Sequence, residues 1–124
     1  MRLLLDTHVL IWWLEVREID GNASVAIGDP ANAVFVSAAS AWEIAIKKTL
    51  AKLRAPNDLE EQLERHSFIP LPISVRHGID AGALPLYHRD PFDRVLVAQA
   101  KGENLTLVTR DAAFSAYDVS VLPA

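Results

Sequence analysis

The sequence predicts one α/β domain in which a mostly parallel sheet is covered by helices on both faces. Three observations carry this expectation. Short apolar runs, RLLLD (2–6), AVFVS (33–37) and LTLVT (105–109), alternate with segments at helical spacing. The segment 92–101 is apolar on most sides, with Arg94, Gln99 and Lys101 as its polar exceptions, so neighbours must bury it. Short strands that are apolar on both faces belong to sheets packed on both sides, which are usually parallel. The 124 residues contain no repeat, low-complexity segment or linker, so 1–124 is expected to be a single domain around one core.

Each element has a local reason. The first run ends in Asp6, an N-cap candidate for the helix HVLIWWLE (8–15). Its Trp12–Trp13 pair reads as core or subunit contact rather than as a ligand box. NASVAIG (22–28) suits a short helix between polar flanks. After AVFVS, a helix over about 38–53 puts Trp42, Ile46, Thr49, Leu50 and Leu53 on one face. Glu43 sits about 100° round from Trp42. It can form a capping box with Ser40 or pair with Lys47 one turn on.

Pro56 is expected to open a further helix, PNDLEEQLERHS (56–67), acidic in its first half and most simply a solvated face. Pro70 and Pro72 make FIPLPI (68–73) extended. SVRHGIDAGAL (74–84) predicts a helix with a weak centre at Gly78. In HRDPFDRVLVAQAKG, Asp90 is the N-cap, Pro91 the first helical residue and Asp93 a first-turn acid, with Gly102 the stop. AAFSAY (112–117) makes a helical turn or two, and VSVLPA (119–124) a last edge strand.

Composition narrows the function. With no cysteine, disulfides and thiolate metal sites are excluded. A first strand starting at Arg2 leaves no room for a signal peptide, and no apolar run nears the roughly 20 residues of a membrane span, so a cytoplasmic protein is expected. The net charge of −4 is unlike that of dedicated nucleic-acid binders and suits a cation site or a basic partner. There is no GxGxxG and no GxxxxGK[ST], which argues against nucleotide cofactors. Asp6-Thr7-His8 lacks the second Asp of an aspartyl-phosphate phosphatase, and no serine nucleophile motif occurs. Histidines 8, 66, 77 and 88 are scattered and none is assigned to catalysis, though His88 beside Arg89 is a candidate substrate contact.

What remains is a set of acids. Asp6, Glu43, Asp93 and Asp111 each lie just beyond a strand or in the first turns of the following helix. Singly, each is explained by capping. Together they meet at the carboxyl edge of a parallel sheet, where open α/β sheets bind ligands. Carboxylates gathered there repel one another and cannot all stay ionised if desolvated. A magnesium ion removes the difficulty, because it prefers carboxylate oxygen and is commonly completed by substrate phosphate. The chemistry points to phosphodiester hydrolysis.

LLLDTHVLIW, SAASAWEIAIK, DPFDRVLVAQA and LTLVTRDAAF, in that order over nearly the whole chain, resemble a PIN-domain ribonuclease. The similarity is greatest to the VapC-type toxins of toxin–antitoxin pairs. The resemblance implies a three-layer α/β/α sandwich and a magnesium- or manganese-dependent endoribonuclease, leaving 5′-phosphate and 3′-hydroxyl ends. It also implies a homodimer inhibited by a cognate antitoxin. By motif, Asp6 is the strand-one metal ligand, Glu43 the acid of WEIAIK, Asp93 the acid of the DRVLVAQA helix, and Asp111 a fourth acid less constant in the family. Thr7 and Thr109 are expected to orient ligands through their hydroxyls. Lys47, Arg89, Arg94 and Arg110 are candidate RNA-backbone contacts, with pairing to nearby acids the alternative, equally weighted for Lys47 and Arg94. Lys48, Lys52 and Arg54 extend a basic strip suited to phosphate or an antitoxin. Two rival readings are a catalytically inactive PIN-like binding module and a metal-dependent phosphatase on small substrates.

Overall fold

The computed structural model describes residues 1–53 and 57–124. Five strands, β1 (Arg2–Leu5), β2 (Ala33–Ser37), β3 (Ile69–Leu71), β4 (Thr106–Thr109) and β5 (Val121–Pro123), form one sheet in the order β3-β2-β1-β4-β5. Every pairing is parallel, with Leu4 opposite Phe35 on one side and Leu107 on the other. All five carboxyl ends therefore lie on one edge.

Among the described residues, six α-helices cover the sheet: α1 (Thr7–Leu14), α2 (Gly21–Gly28), α3 (Ala38–Thr49), α4 (Leu59–Arg65), α5 (Val75–Ala83) and α6 (Pro91–Gly102). A 3-10 turn, Ala112–Ala116, joins β4 to β5. Because strand side chains alternate, Leu3 and Leu5 face one layer and Leu4 the other. The first layer packs Val9, Leu10, Ala23, Ile27, Ile44 and Leu63 against Leu3, Leu5, Val36 and Val108. The second packs Leu96, Val97, Ala100 and Phe114 against Leu4 and Leu107, with α5 lying on α6. The fold is the three-layer α/β/α sandwich that the resemblance implied. No helix among the described residues is long and apolar enough to cross a membrane.

The starts of the helices follow the sequence closely. Asp6 caps α1 through His8 N (2.8 Å), and Asp90 caps α6 through Phe92 N (2.8 Å) with Pro91 in the first turn. Their ends follow it less sharply. Gly102 stays helical, and the turn comes at Asn104 (φ 55°), with Leu105 N donating to Ala100 O at 2.8 Å. The helix predicted to reach residue 53 ends at Thr49, where Ala51 (φ 56°) reverses the chain and Lys52 N closes on Lys47 O at 2.8 Å. The Ser40–Glu43 capping box does not form either. Ser37, three residues earlier, accepts from Ala39 N and is the N-cap, while Ser40 accepts the Thr7 hydroxyl at 2.9 Å. Pro56 lies outside the described residues; α4 begins after Asp58.

Candidate metal centre at the carboxyl edge

Asp6 ends β1 on the central strand, so its carboxylate is buried between neighbouring strand ends. Oδ1 accepts from His8 N, and Oδ2 accepts the Thr109 hydroxyl from the end of β4 at 2.6 Å. Burial pushes its pKa up, but the hydrogen bonds from His8 and Thr109 outweigh that and hold it below the usual carboxylate value. Thr109 also accepts Asp111 N at 3.0 Å, so one hydroxyl ties the first and fourth acids together. The Thr7 hydroxyl goes to Ser40 instead of to an acid.

Glu43 is 2 % exposed, on the inward side of α3 with Ala39, Ser40 and Ile44. Its Oε2 accepts Lys47 Nζ at 2.6 Å, while Oε1 is buried and has no hydrogen-bond partner. That ion pair raises the Lys47 pKa, with the negative charges of Asp90 and Asp93 adding to it. Asp93, one turn into α6, is pushed up to about 7, first by burial and then by the charges of Asp90, Asp6 and Glu43, with His88 pulling the other way. Asp111 is half-exposed at the rim, where Oδ1 caps the 3-10 turn through Ala113 N at 2.9 Å. Asp6, Glu43 and Asp93 thus form one electrostatic cluster at the sheet edge, which Asp111 joins through His88 and Thr109. A cavity of about 680 Å³ between β2, β3 and α4 is lined by apolar residues with Ser37, Glu60 and Glu64 and contains none of these four acids.

Two predicted backbone contacts are placed elsewhere. Arg94 is buried, and its guanidinium donates to the carbonyls of Leu84 (2.7 Å), Pro85 (3.0 Å), His88 (3.2 Å) and Gly82 (3.3 Å). It contacts neither solvent-side phosphate positions nor an acid, because five N–H donors in a planar fork can saturate a loop's orphan carbonyls. Arg110 turns away likewise, donating to Ala124 O and Glu18 O while stacked 4.1 Å over the Trp12 ring. Lys47 is committed to Glu43; Arg89 and Lys52 are exposed, Lys48 bonds Asn57, and Arg54 lies outside the described residues. The tryptophan pair is half-buried against the core, Trp13 donating to His66 Nδ1 at 3.3 Å. The exposed tryptophan is Trp42, at 61 %.

The reading by residue type assigned no histidine to the acid cluster and offered His88 only as a substrate contact. His88 Nε2 lies 3.1 Å from both Asp93 Oδ2 and Asp111 Oδ2. His8 Nδ1 is 3.7 Å from Asp6 Oδ1, and that carboxylate raises its pKa. The signal available for His88 was its place two residues before the N-cap of the acid-bearing helix.

An all-parallel sandwich with buried acids at the carboxyl edge of its central strands is an α/β domain whose ligand-binding edge is acidic. A family model of the PIN domain matches residues 3–120, and the chain belongs to that family. No curated protein matches the sequence. Among solved structures, the chain is similar over 99 % of its length to 98 % of a chain in VapBC2 from Rickettsia felis bound to a promoter DNA fragment (TM-score 0.74, 15 % identity). It is similar over 97 % to 95 % of a chain in a toxin–antitoxin complex from Klebsiella pneumoniae (0.68, 22 %). A third is VapBC-5 from Mycobacterium tuberculosis, a member of the VapBC family of toxin–antitoxin systems (0.61, 21 %, 98 % of this chain and 96 % of that one). At these identities the likeness is one of fold.

Proposed function

We propose that the chain is a divalent-cation-dependent endoribonuclease and the toxin of a toxin–antitoxin pair, with magnesium its ordinary ion and manganese a substitute. The observation that carries this is the Glu43 carboxylate: an oxygen buried without a partner, beside an Asp93 whose ionisation is opposed by Asp6, Glu43 and Asp90. A buried acceptor left unsatisfied costs about 1–3 kcal/mol, and a cation among the acids relieves both that cost and the repulsion. The donors are all hard oxygens apart from histidine, which fits magnesium or manganese. Asp6 and Asp93 would hold the ion, with Glu43 and Asp111 supporting it directly or through water. When bound, it supplies charge neutralisation at a phosphate under attack and lowers the pKa of water.

The chain's own residues prepare the site. Thr109 and the His8 amide fix Asp6 in its ionised form, and Lys47 occupies one of the two oxygens of Glu43. The fold likeness to toxin–antitoxin complexes supports an antitoxin as partner, and a second copy of the chain is the other expected partner. The exposed Trp42 and Ile46 on α3, with Leu50 at its C-cap, are an apolar surface available to them. Cleavage of RNA by the purified chain should require added magnesium or manganese and vanish in Asp93→Asn. Full cleavage in EDTA with trace metal excluded refutes the cation role. Hydrolysis of a chromogenic phosphate ester without RNA cleavage indicates a phosphatase, and cation binding without either activity indicates a binding module.

A further inference from the structure

His88 arrives at the acids from a loop, and that loop is held unusually firmly for an exposed connection. Its carbonyl accepts from the buried Arg94 guanidinium, which also grips Gly82, Leu84 and Pro85. Its amide donates to Tyr117 Oη at 2.8 Å, and that hydroxyl donates on to Pro85 O at 3.0 Å. The imidazole lies beside the buried Phe114 ring, centroids 5.2 Å apart. A buried arginine and a buried tyrosine thus fix both backbone groups of one residue. The atom so positioned is His88 Nε2, at 3.1 Å from one oxygen each of Asp93 and Asp111. One N–H cannot aim well at two carboxylates at once, so hydrogen bonding accounts for only one of these contacts. Two ligands at right angles on an ion with bonds of about 2.1 Å stand about 3 Å apart, which both contacts match. All three ligand atoms lie within 4.8 Å of one another. The unpartnered, buried Glu43 oxygen is an independent sign that this edge awaits a cation.

We infer that His88 is itself a ligand of the bound cation, through Nε2, and that its imidazole tilts the site from magnesium toward manganese and the later first-row ions. The inference rests on the cation-dependent reading above and adds a nitrogen donor to the acids. Imidazole favours transition ions, whereas magnesium gains little from replacing an oxygen ligand by nitrogen. The second imidazole nearby, His8, is 3.7 Å from Asp6 and is the control.

The test uses the full chain with manganese alone and magnesium alone. Pulsed electron paramagnetic resonance of the manganese-loaded wild type should show coupling to a directly bound ¹⁴N nucleus. The coupling should persist in His8→Gln and disappear in His88→Gln. Calorimetric titration should show the manganese-over-magnesium affinity ratio falling about tenfold in His88→Gln, with melting curves confirming that the variant is folded. The His8→Gln spectrum decides the matter even if His88→Gln fails to fold. Manganese bound without nitrogen coupling, or coupling lost in His8→Gln but kept in His88→Gln, overturns the inference and leaves the cation site standing. Failure of both ions to bind overturns the cation site as well.

Discussion

Replacing Asp93 by Asn should make the metal-free protein more stable at alkaline pH while abolishing its activity. In the folded chain Asp93 takes up its proton near pH 7, against 3.8 for the free side chain, because burial and the charges of Asp90, Asp6 and Glu43 oppose ionisation. Between those values the folded state holds a proton that the unfolded state has released, so stability falls as pH rises. It is fully present below 3.8 and lost by the time the pH has passed 7. From pH 5 to pH 8 the window covers about two pH units, at most about 2.7 kcal/mol at 1.36 kcal/mol per unit. The carboxyl is partly solvated, and screening brings the expected loss to about 1–2 kcal/mol. Asn keeps the shape and does not titrate. Urea melts in EDTA should therefore find the stability gap between Asp93→Asn and wild type widening by that amount from pH 5 to pH 8. Comparing the two chains cancels titrations they share, such as that of His8. Magnesium or manganese at pH 8 should restore the wild type by mass action and the variant far less. A gap that is the same at both pH values would refute the account of Asp93 as an acid held against its neighbours.

Three further outcomes follow from the same contacts. Asp90→Asn keeps the α6 cap, since Asn caps about as well as Asp; it should cost only a few tenths of a kcal/mol in urea melts and leave RNA cleavage within about tenfold. Thr109→Val removes the donor to Asp6 and the acceptor for Asp111 N; it should cost roughly 1–2 kcal/mol and weaken cation binding in calorimetry, and unchanged affinity would separate Thr109 from the site. Arg94→Met strips the Gly82, Leu84 and His88 carbonyls of this donor and leaves Pro85 O to the Tyr117 hydroxyl; it should cost at least about 3 kcal/mol, with Arg94→Lys recovering less than half, and a loss under 1 kcal/mol for Met would show that water replaces the guanidinium.

What was legible in the sequence is what short-range chemistry decides. The Asp6, Asp90 and Asp111 caps each bond an amide two residues on, so their type and position announce them. The sheet could be read because apolar runs of four or five residues recur between helices, and parallel pairing then carries every strand end to one edge. The helix stops were read to within one or two residues except in α3, and less sharply than the starts, because α1, α3, α4 and α6 are each followed by a left-handed residue, Val16, Ala51, Ser67 and Asn104, and none of these is glycine. Arg94 and Arg110 were misjudged because their partners are backbone carbonyls, brought to Arg110 from as far as Glu18. A carbonyl has no residue type, so nothing in the sequence marks it as a partner. His88 was offered only as a substrate contact because the acids it meets lie five and 23 positions away, on α6 and past β4.

The orientation of α3 is where pattern and structure part most usefully. Its apolar residues Trp42, Ile46 and Leu50 share one face, which the usual rule sends to the core. In the folded chain those three are exposed, and the buried side carries Ala39, Ser40, Glu43 and Ile44. A rotation of roughly 100° about the helix axis would exchange Glu43 for Trp42. Burying apolar side chains of this size is worth about 1.5–3 kcal/mol each, and taking Glu43 out of the interior would satisfy its orphan oxygen. Within the isolated chain both changes favour the rotated helix, so the observed rotation is held by other contacts. Thr7 bonds Ser40 from the start of α1, and Ser37 caps the helix from the end of β2, which together fix its azimuth against the strands. The outcome puts a carboxylate with the other acids and leaves an apolar stripe outside, where Phe92 lies edge-on to Trp42 at 5.1 Å. α3 is placed to serve the acid cluster at the core's expense, and a cation at Glu43 together with a partner over Trp42 would each remove one of the two costs.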